Sequence, residues 1–146
     1  VTERRIADIE YEQMLLSRYT IAQHPHAQGL DRSTYLLMSR LDGQGPMSIG
    51  ELSAAFRLDA STLQRQTTVA IKAGLLERIL DPAGGVARKL TLTAQGRTRL
   101  RDARDDSVRS LERIMADWPA SDVNTFAELL HRFNASIEEY RETKAD

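Results

Sequence analysis

The chain is expected to be mainly α-helical, with one β-hairpin set among its helices. Apolar residues recur at helical spacing over most of its 146 residues. Two short alternating runs, LLERIL and VARKLTL, flank DPAGG, a Pro- and Gly-bearing turn between strand-like segments. Asp31, Ser48, Asp59 and Thr93 each stand where a helix would begin, a position that favours a side chain able to accept an orphan amide. With 41% apolar and 28% charged residues the chain can bury one core but is too short for two ordinary domains, so one compact unit is expected.

The first helix is expected over residues 3–24, which hold no Gly or Pro until Pro25. Its apolar positions, Ile6, Ile9, Tyr11, Leu15, Leu16, Tyr19 and Ala22, cover more than half the circumference, which implies more than one partner surface. Gln28 and Gly29 make the connection to a second helix that is capped by Asp31 and carries Tyr35, Leu36, Met38 and Leu41. DGQGP at residues 42–46 is a break. Ser48 with Glu51 fits a capping box, in which hydroxyl and carboxylate satisfy first-turn amides reciprocally; Ile49, Leu52 and Phe56 follow at helical spacing. Asp59 is placed to cap a helix over residues 60–73, closed by Gly74, where a left-handed cap costs glycine little. The hairpin follows, and then a helix capped by Thr93 that carries Leu100, Ala103, Leu111, Ile114 and Trp118 on one side. Trp118-Pro119 interrupts it. Beyond Ala120, the residues Val123, Phe126, Leu129, Leu130, Phe133, Ile137 and Tyr140 fall within an arc of roughly 120° at 100° per residue, a single apolar seam.

Charge is distributed unevenly. Residues 48–99 hold eight basic side chains (Arg57, Arg65, Lys72, Arg78, Arg88, Lys89, Arg97, Arg99) against four acidic ones (Glu51, Asp59, Glu77, Asp81), or +4. The remaining 12 basic and 17 acidic residues leave -5 elsewhere, for a net charge of -1. A basic middle between acidic arms points to a polyanion as its partner. The lack of cysteine excludes disulfides, thiolate metal sites and thiol redox sensing by this chain. No run approaches the ~18 apolar residues of a membrane span, and the opening VTERRIADIEYEQ is charged from its third position. A soluble, cytoplasmic protein with no membrane partner is expected.

Order now carries the functional reading. A short capped helix, a tight turn, a polar-faced helix, a glycine and a hairpin with basic residues near its tip describe a winged helix-turn-helix over residues 31–99. In the 60–73 helix, Leu63, Thr67 and Ala70 take the inward spacing, which turns Ser61, Thr62, Gln64, Arg65 and Thr68 outward. Such groups read a DNA major groove: Arg matches guanine O6/N7, Gln matches adenine N6/N7, and the hydroxyls suit phosphates or either base type. The hairpin adds Arg88 and Lys89 as candidate contacts, with Arg88 expected beside a narrow, A·T-rich minor groove. The plain alternative is a solvated Ser/Thr/Gln face and a strand-surface arginine.

The stretch from Leu30 to Gly96 resembles the multiple-antibiotic-resistance regulator (MarR) family of winged helix-turn-helix transcriptional regulators. The resemblance rests on LDRSTYLLMSRL, MSIGELSAAFRLDASTLQRQ, AGLLERILDP and KLTLTAQG. It implies a homodimer built from the terminal helices, residues 1–30 and 100–146, that acts as a regulator, more often a repressor, on a roughly palindromic operator. A small-molecule cleft between those helices and the DNA-binding module is also implied, with Met14, Arg18, Tyr35 and Met38 as candidates to line it; Met14 and Met38 read equally well as core. Two positions depart from the family. Gly84-Gly85-Val86 stands where an Asp-Arg-Arg cluster is usual in the wing, and Arg57 stands in the helix-helix turn where Gly is common.

Other chemistry finds little footing. His24 and His26 do not share a helix face and have no acidic or cysteine ligand near in sequence, so neither metal nor cofactor is expected. No nucleophile elbow, phosphate loop or zinc-protease helix is present, which argues against an enzyme. The rival reading is a winged-helix protein-interaction module that does not bind DNA, favoured by the uncharged wing tip.

Overall fold

The computed structural model describes residues 2–19 and 30–144. Pro25, His24, His26, Gln28 and Gly29 lie outside the described residues, as does the expected end of the first helix. Among the described residues six helices and one hairpin follow in order: α1 (Ile6–Tyr19), α2 (Arg32–Gln44), α3 (Ile49–Phe56), α4 (Ala60–Lys72), β1 (Leu76–Leu80), β2 (Arg88–Leu92), α5 (Ala94–Ile114) and α6 (Ala120–Lys144). The chain divides into two compact units, residues 1–108 and 109–146.

In the first unit, caps fix where each helix starts. The Asp31 carboxylate accepts the Thr34 amide at 2.8 Å, and α2 ends at Gly45, whose φ of 85° a side chain would disfavour. The capping box of α3 is complete: Glu51 N–H donates to Ser48 Oγ at 3.1 Å, and Ser48 N–H donates to Glu51 Oε1 at 3.3 Å. Asp59 differs from expectation. Its backbone is extended, as an N-cap requires, and its carbonyl accepts the Leu63 amide, but its carboxylate makes no capping bond. That carboxylate still favours the positive end of the α4 dipole. Helix α4 closes as a Schellman motif. Gly74 N–H donates to Ile71 O at 2.9 Å, Leu75 N–H donates to Ala70 O at 3.0 Å, and Gly74 holds φ of 79°.

The hairpin pairs Leu76 with Leu92 and Leu80 with Arg88 in antiparallel register, and Met47 adds a bridge to Leu90. Its turn is nucleated by Asp81, whose carboxylate accepts the Ala83 amide and whose carbonyl accepts the Gly84 amide, both at 2.9 Å. Thr93 caps α5, its Oγ1 accepting the Gly96 amide at 2.9 Å. One core unites these parts: Leu37, Met38 and Leu41 from α2, Leu52 from α3, Leu63 and Ala70 from α4, Leu76, Leu90 and Leu92 from the hairpin, and Leu100 and Ala103 from α5. Gly96 admits the closest approach in that core, since a Cβ there would overlap the Leu75 carbonyl.

The second unit runs from the end of α5 through Trp118-Pro119 into α6. Pro119 O accepts the Asp122 and Val123 amides at 3.0 and 3.2 Å, so the proline starts α6 by the φ it fixes. The rings of Trp118 and Phe126 meet at 5.8 Å with a 53° tilt. Helix α5 stops at Ile114, earlier than the expected interruption at Trp118. Phe126, Leu129, Leu130, Phe133, Ile137 and Tyr140 along α6 are 37–59% exposed, and α6 buries no residue. Helix α1 likewise buries none. No helix among the described residues is long and apolar enough to cross a membrane.

Candidate nucleic-acid interface

Helix α4 is anchored by Leu63, Thr67 and Ala70, which are buried at i, i+4 and i+7. Thr67 is the polar member of this row, and its hydroxyl donates to Gln64 O at 3.1 Å, which satisfies it inside the core. The opposite face follows by rotation. Ser61, Gln64, Arg65 and Thr68 are exposed, whereas Thr62 is half-buried at the edge, where its Oγ1 lies 3.4 Å from Arg65 Nη2. The Thr68 hydroxyl donates to Gln64 O at 2.7 Å, which leaves its oxygen as an acceptor toward solvent. The face thus presents a guanidinium, an amide and hydroxyls, and carries no carboxylate. Val69 and Lys72 are also exposed and complete it at i+4 and i+7 from Arg65. Neither was singled out from sequence for this face, although helical spacing from Arg65 is the signal that places them on it.

The turn ahead of α4 carries Arg57 at φ 53°, ψ 45°, the positive-φ residue other than glycine among the described residues. The αL conformation that glycine would adopt at no cost is therefore held by an arginine, with its side chain exposed.

On the hairpin, the two candidate cations meet different surroundings. Arg88 is exposed. Lys89 is drawn inward: its ammonium pairs with Glu51 Oε1 and lies 3.9 Å from Asp81 Oδ2. The Lys89 hydrogen bond, aided by the Ser48 amide, holds the Glu51 carboxyl below the usual carboxylate range, and Glu51 in turn raises the Lys89 ammonium above the usual lysine value. At the tip, Val86 is 101% exposed between Gly85 and Ala87, so the wing ends in an apolar rather than a charged group.

The four residues considered for an effector cleft meet different surroundings. Met14 and Arg18 are exposed on α1, and Tyr35 is half-buried against the core. Met38 is 0% exposed and belongs to the core itself. A cavity of about 70 Å³ lies instead among Ser33, Leu36, Leu37, Phe56, Leu58 and Gln66. No group of three or more acidic, histidine or cysteine side chains suited to a metal ion occurs among the described residues.

Compared with known proteins, the chain matches no family model. It is 33% identical over 132 residues to an uncharacterized HTH-type transcriptional regulator, YxaD, of Bacillus subtilis (strain 168), covering 88% of this chain and 92% of that one. Its fold is similar to a MarR family protein from Bacillus stearothermophilus (TM-score 0.79, 17% identity, 94% of this chain and 99% of the other). It is also similar to wild-type MarR of E. coli in its apo form (0.68, 14%, 91% and 98%) and to the PcaV transcriptional regulator of Streptomyces coelicolor in complex with its natural ligand (0.61, 19%, 87% and 90%). The chain belongs to the HTH-type transcriptional regulators, and its fold is the winged-helix fold of the MarR family proteins it resembles.

Proposed function

We propose that the chain is a sequence-specific DNA-binding repressor that works as a homodimer on a palindromic operator and releases it in response to a small molecule. The observation that carries DNA binding is the outward face of α4, where Ser61, Gln64, Arg65 and Thr68 stand exposed and free of carboxylates. Thr62 flanks that face, and Arg88 and Lys89 supply the hairpin's cations. Arg65 reads a guanine by its fork of donors, Gln64 an adenine, and Arg88 the adjoining minor groove.

Dimerisation is supported by the apolar residues of α1 and of α6, which a single copy leaves exposed. Two recognition helices related by a two-fold axis enter successive major grooves roughly 34 Å apart. Response to a small molecule is supported by analogy with PcaV, whose structure holds its natural ligand. Met14, Arg18 and Tyr35 remain candidates to line such a cleft. A ligand of this kind acts only if its affinity differs between the DNA-competent and DNA-incompetent arrangements.

The test is selection of bound sequences from a random DNA pool at low salt, with the mass of the complex measured by sedimentation. A recovered palindrome bound by two chains is expected, with affinity falling steeply as salt rises. Absence of binding at low salt overturns the reading and leaves the alternative, a protein-interaction module, which the apolar Val86 tip favours.

A further inference from the structure

Arg88 and Lys89 are neighbours on β2, and sequence gives no reason to separate their roles. The structure does. The Lys89 side chain is 17% exposed and its ammonium lies between two carboxylates from different elements. One, Glu51, is in the first turn of α3, where it also accepts the Ser48 amide at 3.3 Å. The other, Asp81, opens the hairpin turn and accepts the Ala83 amide at 2.9 Å. A single ammonium on β2 therefore joins the start of α3 to the turn of the wing. The Met47–Leu90 backbone bridge, with N···O distances of 3.2 and 2.7 Å, lies one residue beyond Lys89 on β2 and one residue before the Ser48 cap of α3, and forms the second half of the same joint.

Charge counting points the same way. Lys89 with Glu51 and Asp81 sums to -1, so the cluster as a whole offers a phosphate no attraction. For Lys89 to reach one it would have to leave the half-buried Asp81 and the exposed Glu51 without their shared cation, whereas Arg88 beside it is already exposed.

We propose that Lys89 is a positioning residue for DNA recognition: it pegs the hairpin to α3 through Glu51 and Asp81, sets the angle at which Arg88 meets the duplex, and touches no phosphate itself. This rests on the DNA-binding reading above. The peg separates two tasks that the sequence presents as one basic pair.

The experiment measures binding of the full chain to its selected operator over a salt series, for wild type, Lys89→Met, Glu51→Gln and the double variant. Gln at position 51 can still complete the capping box but carries no charge. Each single change should weaken binding about fivefold, the scale of a partly exposed ion pair, with the slope of log affinity against log salt unchanged. The double variant should be no weaker than either single. A Lys89 that contacts phosphate gives the opposite sign for Glu51→Gln, because the released ammonium tightens binding, and it lowers the salt slope by about one in Lys89→Met; that pattern overturns the proposal.

Amide hydrogen exchange on the free protein supplies a second arm. Both single variants should exchange faster at Met47 and Leu90 while the α2 and α4 amides keep their wild-type rates; unaltered exchange at Met47 and Leu90 also overturns the proposal. A wild-type chain that binds no DNA at low salt refutes the function reading instead, and with it the role in recognition, while the exchange arm still reports whether Lys89 pegs the hairpin.

Discussion

Thr93 ties the end of α4 to the start of α5 through one hydroxyl, and its replacement by Ala should be among the costlier single substitutions in the chain. Its Oγ1 donates to Gly74 O at 2.6 Å and accepts the Gly96 amide at 2.9 Å, while its own amide donates to Leu75 O at 3.0 Å. The backbone bond survives in Thr93→Ala, but both hydroxyl bonds vanish. Loss of an N-cap costs about 1 kcal/mol. Loss of a part-buried hydrogen bond to the Gly74 carbonyl costs about 1 kcal/mol more, because that carbonyl keeps its burial without its partner. With the half-buried methyl that Ala also lacks, about 0.7 kcal/mol, a total of about 2.7 kcal/mol follows, or roughly 8 °C in Tm for a chain of this length. Thr93→Ser keeps both bonds and should stay within about 0.7 kcal/mol of wild type, the scale of a lost, half-buried methyl. Urea unfolding at one fixed protein concentration, followed by circular dichroism, measures both, the concentration being held because association shifts the midpoint. A Thr93→Ala variant within about 0.5 kcal/mol of wild type, or a Thr93→Ser variant as unstable as Thr93→Ala, would refute the ledger.

Further outcomes follow from the same geometry. Gly96→Ala drives a methyl into the Leu75 carbonyl and should destabilise by about 3 kcal/mol, read as a lower urea midpoint at unchanged m-value; a neutral result would mean that α5 and the Leu75 backbone are not in close contact. Arg57→Gly relieves an αL conformation costing about 1 kcal/mol but gains a similar unfolded-state entropy, so stability should change little, while the salt slope of DNA binding falls by about one if the exposed guanidinium meets a phosphate. Arg65→Ala should lower operator affinity by about 1–3 kcal/mol and relax preference at one base position, which binding to a set of single-base operator variants would reveal. The Glu51–Lys89 pair should make its contribution to stability undiminished from above the ordinary carboxyl value of 4.5 to below the ordinary lysine value of 10.5. The depressed Glu51 loses its part as pH falls through its folded value, and the raised Lys89 loses its part as pH rises past its own. The stability gap between wild type and Glu51→Gln should therefore be flat near neutrality and close in acid.

Local features of this fold were legible because their signals are local. The capping box at Ser48 and Glu51, the Asp31 cap, the Schellman glycine at Gly74 and the hairpin turn at Asp81 each lie within six residues of sequence, and each is present as expected. The inward row Leu63, Thr67 and Ala70 was likewise readable from periodicity, which fixes the direction of the opposite face. The unread features depend on distant partners. Glu51 and Lys89 are 38 residues apart, and an ion pair between separate elements leaves no periodic trace, so Lys89 looked equivalent to Arg88. Met38 sits on α2 at a spacing that suits a cleft wall or a core, and only the packing of α2 in the core chooses between them. The Asp59 carboxylate had the residue type and place of a cap but not the bond, since cap chemistry requires a side-chain rotamer as well as a position.

The turn from α3 to α4 explains how an arginine occupies a site that suits glycine. Ser53 holds both backbone groups of Leu58: its carbonyl accepts the Leu58 amide at 3.3 Å, and its hydroxyl donates to the Leu58 carbonyl at 2.5 Å. Between those two bonds Arg57 has little room to leave αL, and its own amide is tied to the Ser53 carbonyl as well. The cost of the left-handed conformation is thus offset by hydrogen bonds that residues on either side of it supply, so the turn does not depend on glycine's freedom. A glycine there would make the conformation easier to reach and also easier to leave. An arginine clamped by Ser53 fixes the entry of α4 more narrowly, and it adds an exposed cation to the turn ahead of α4.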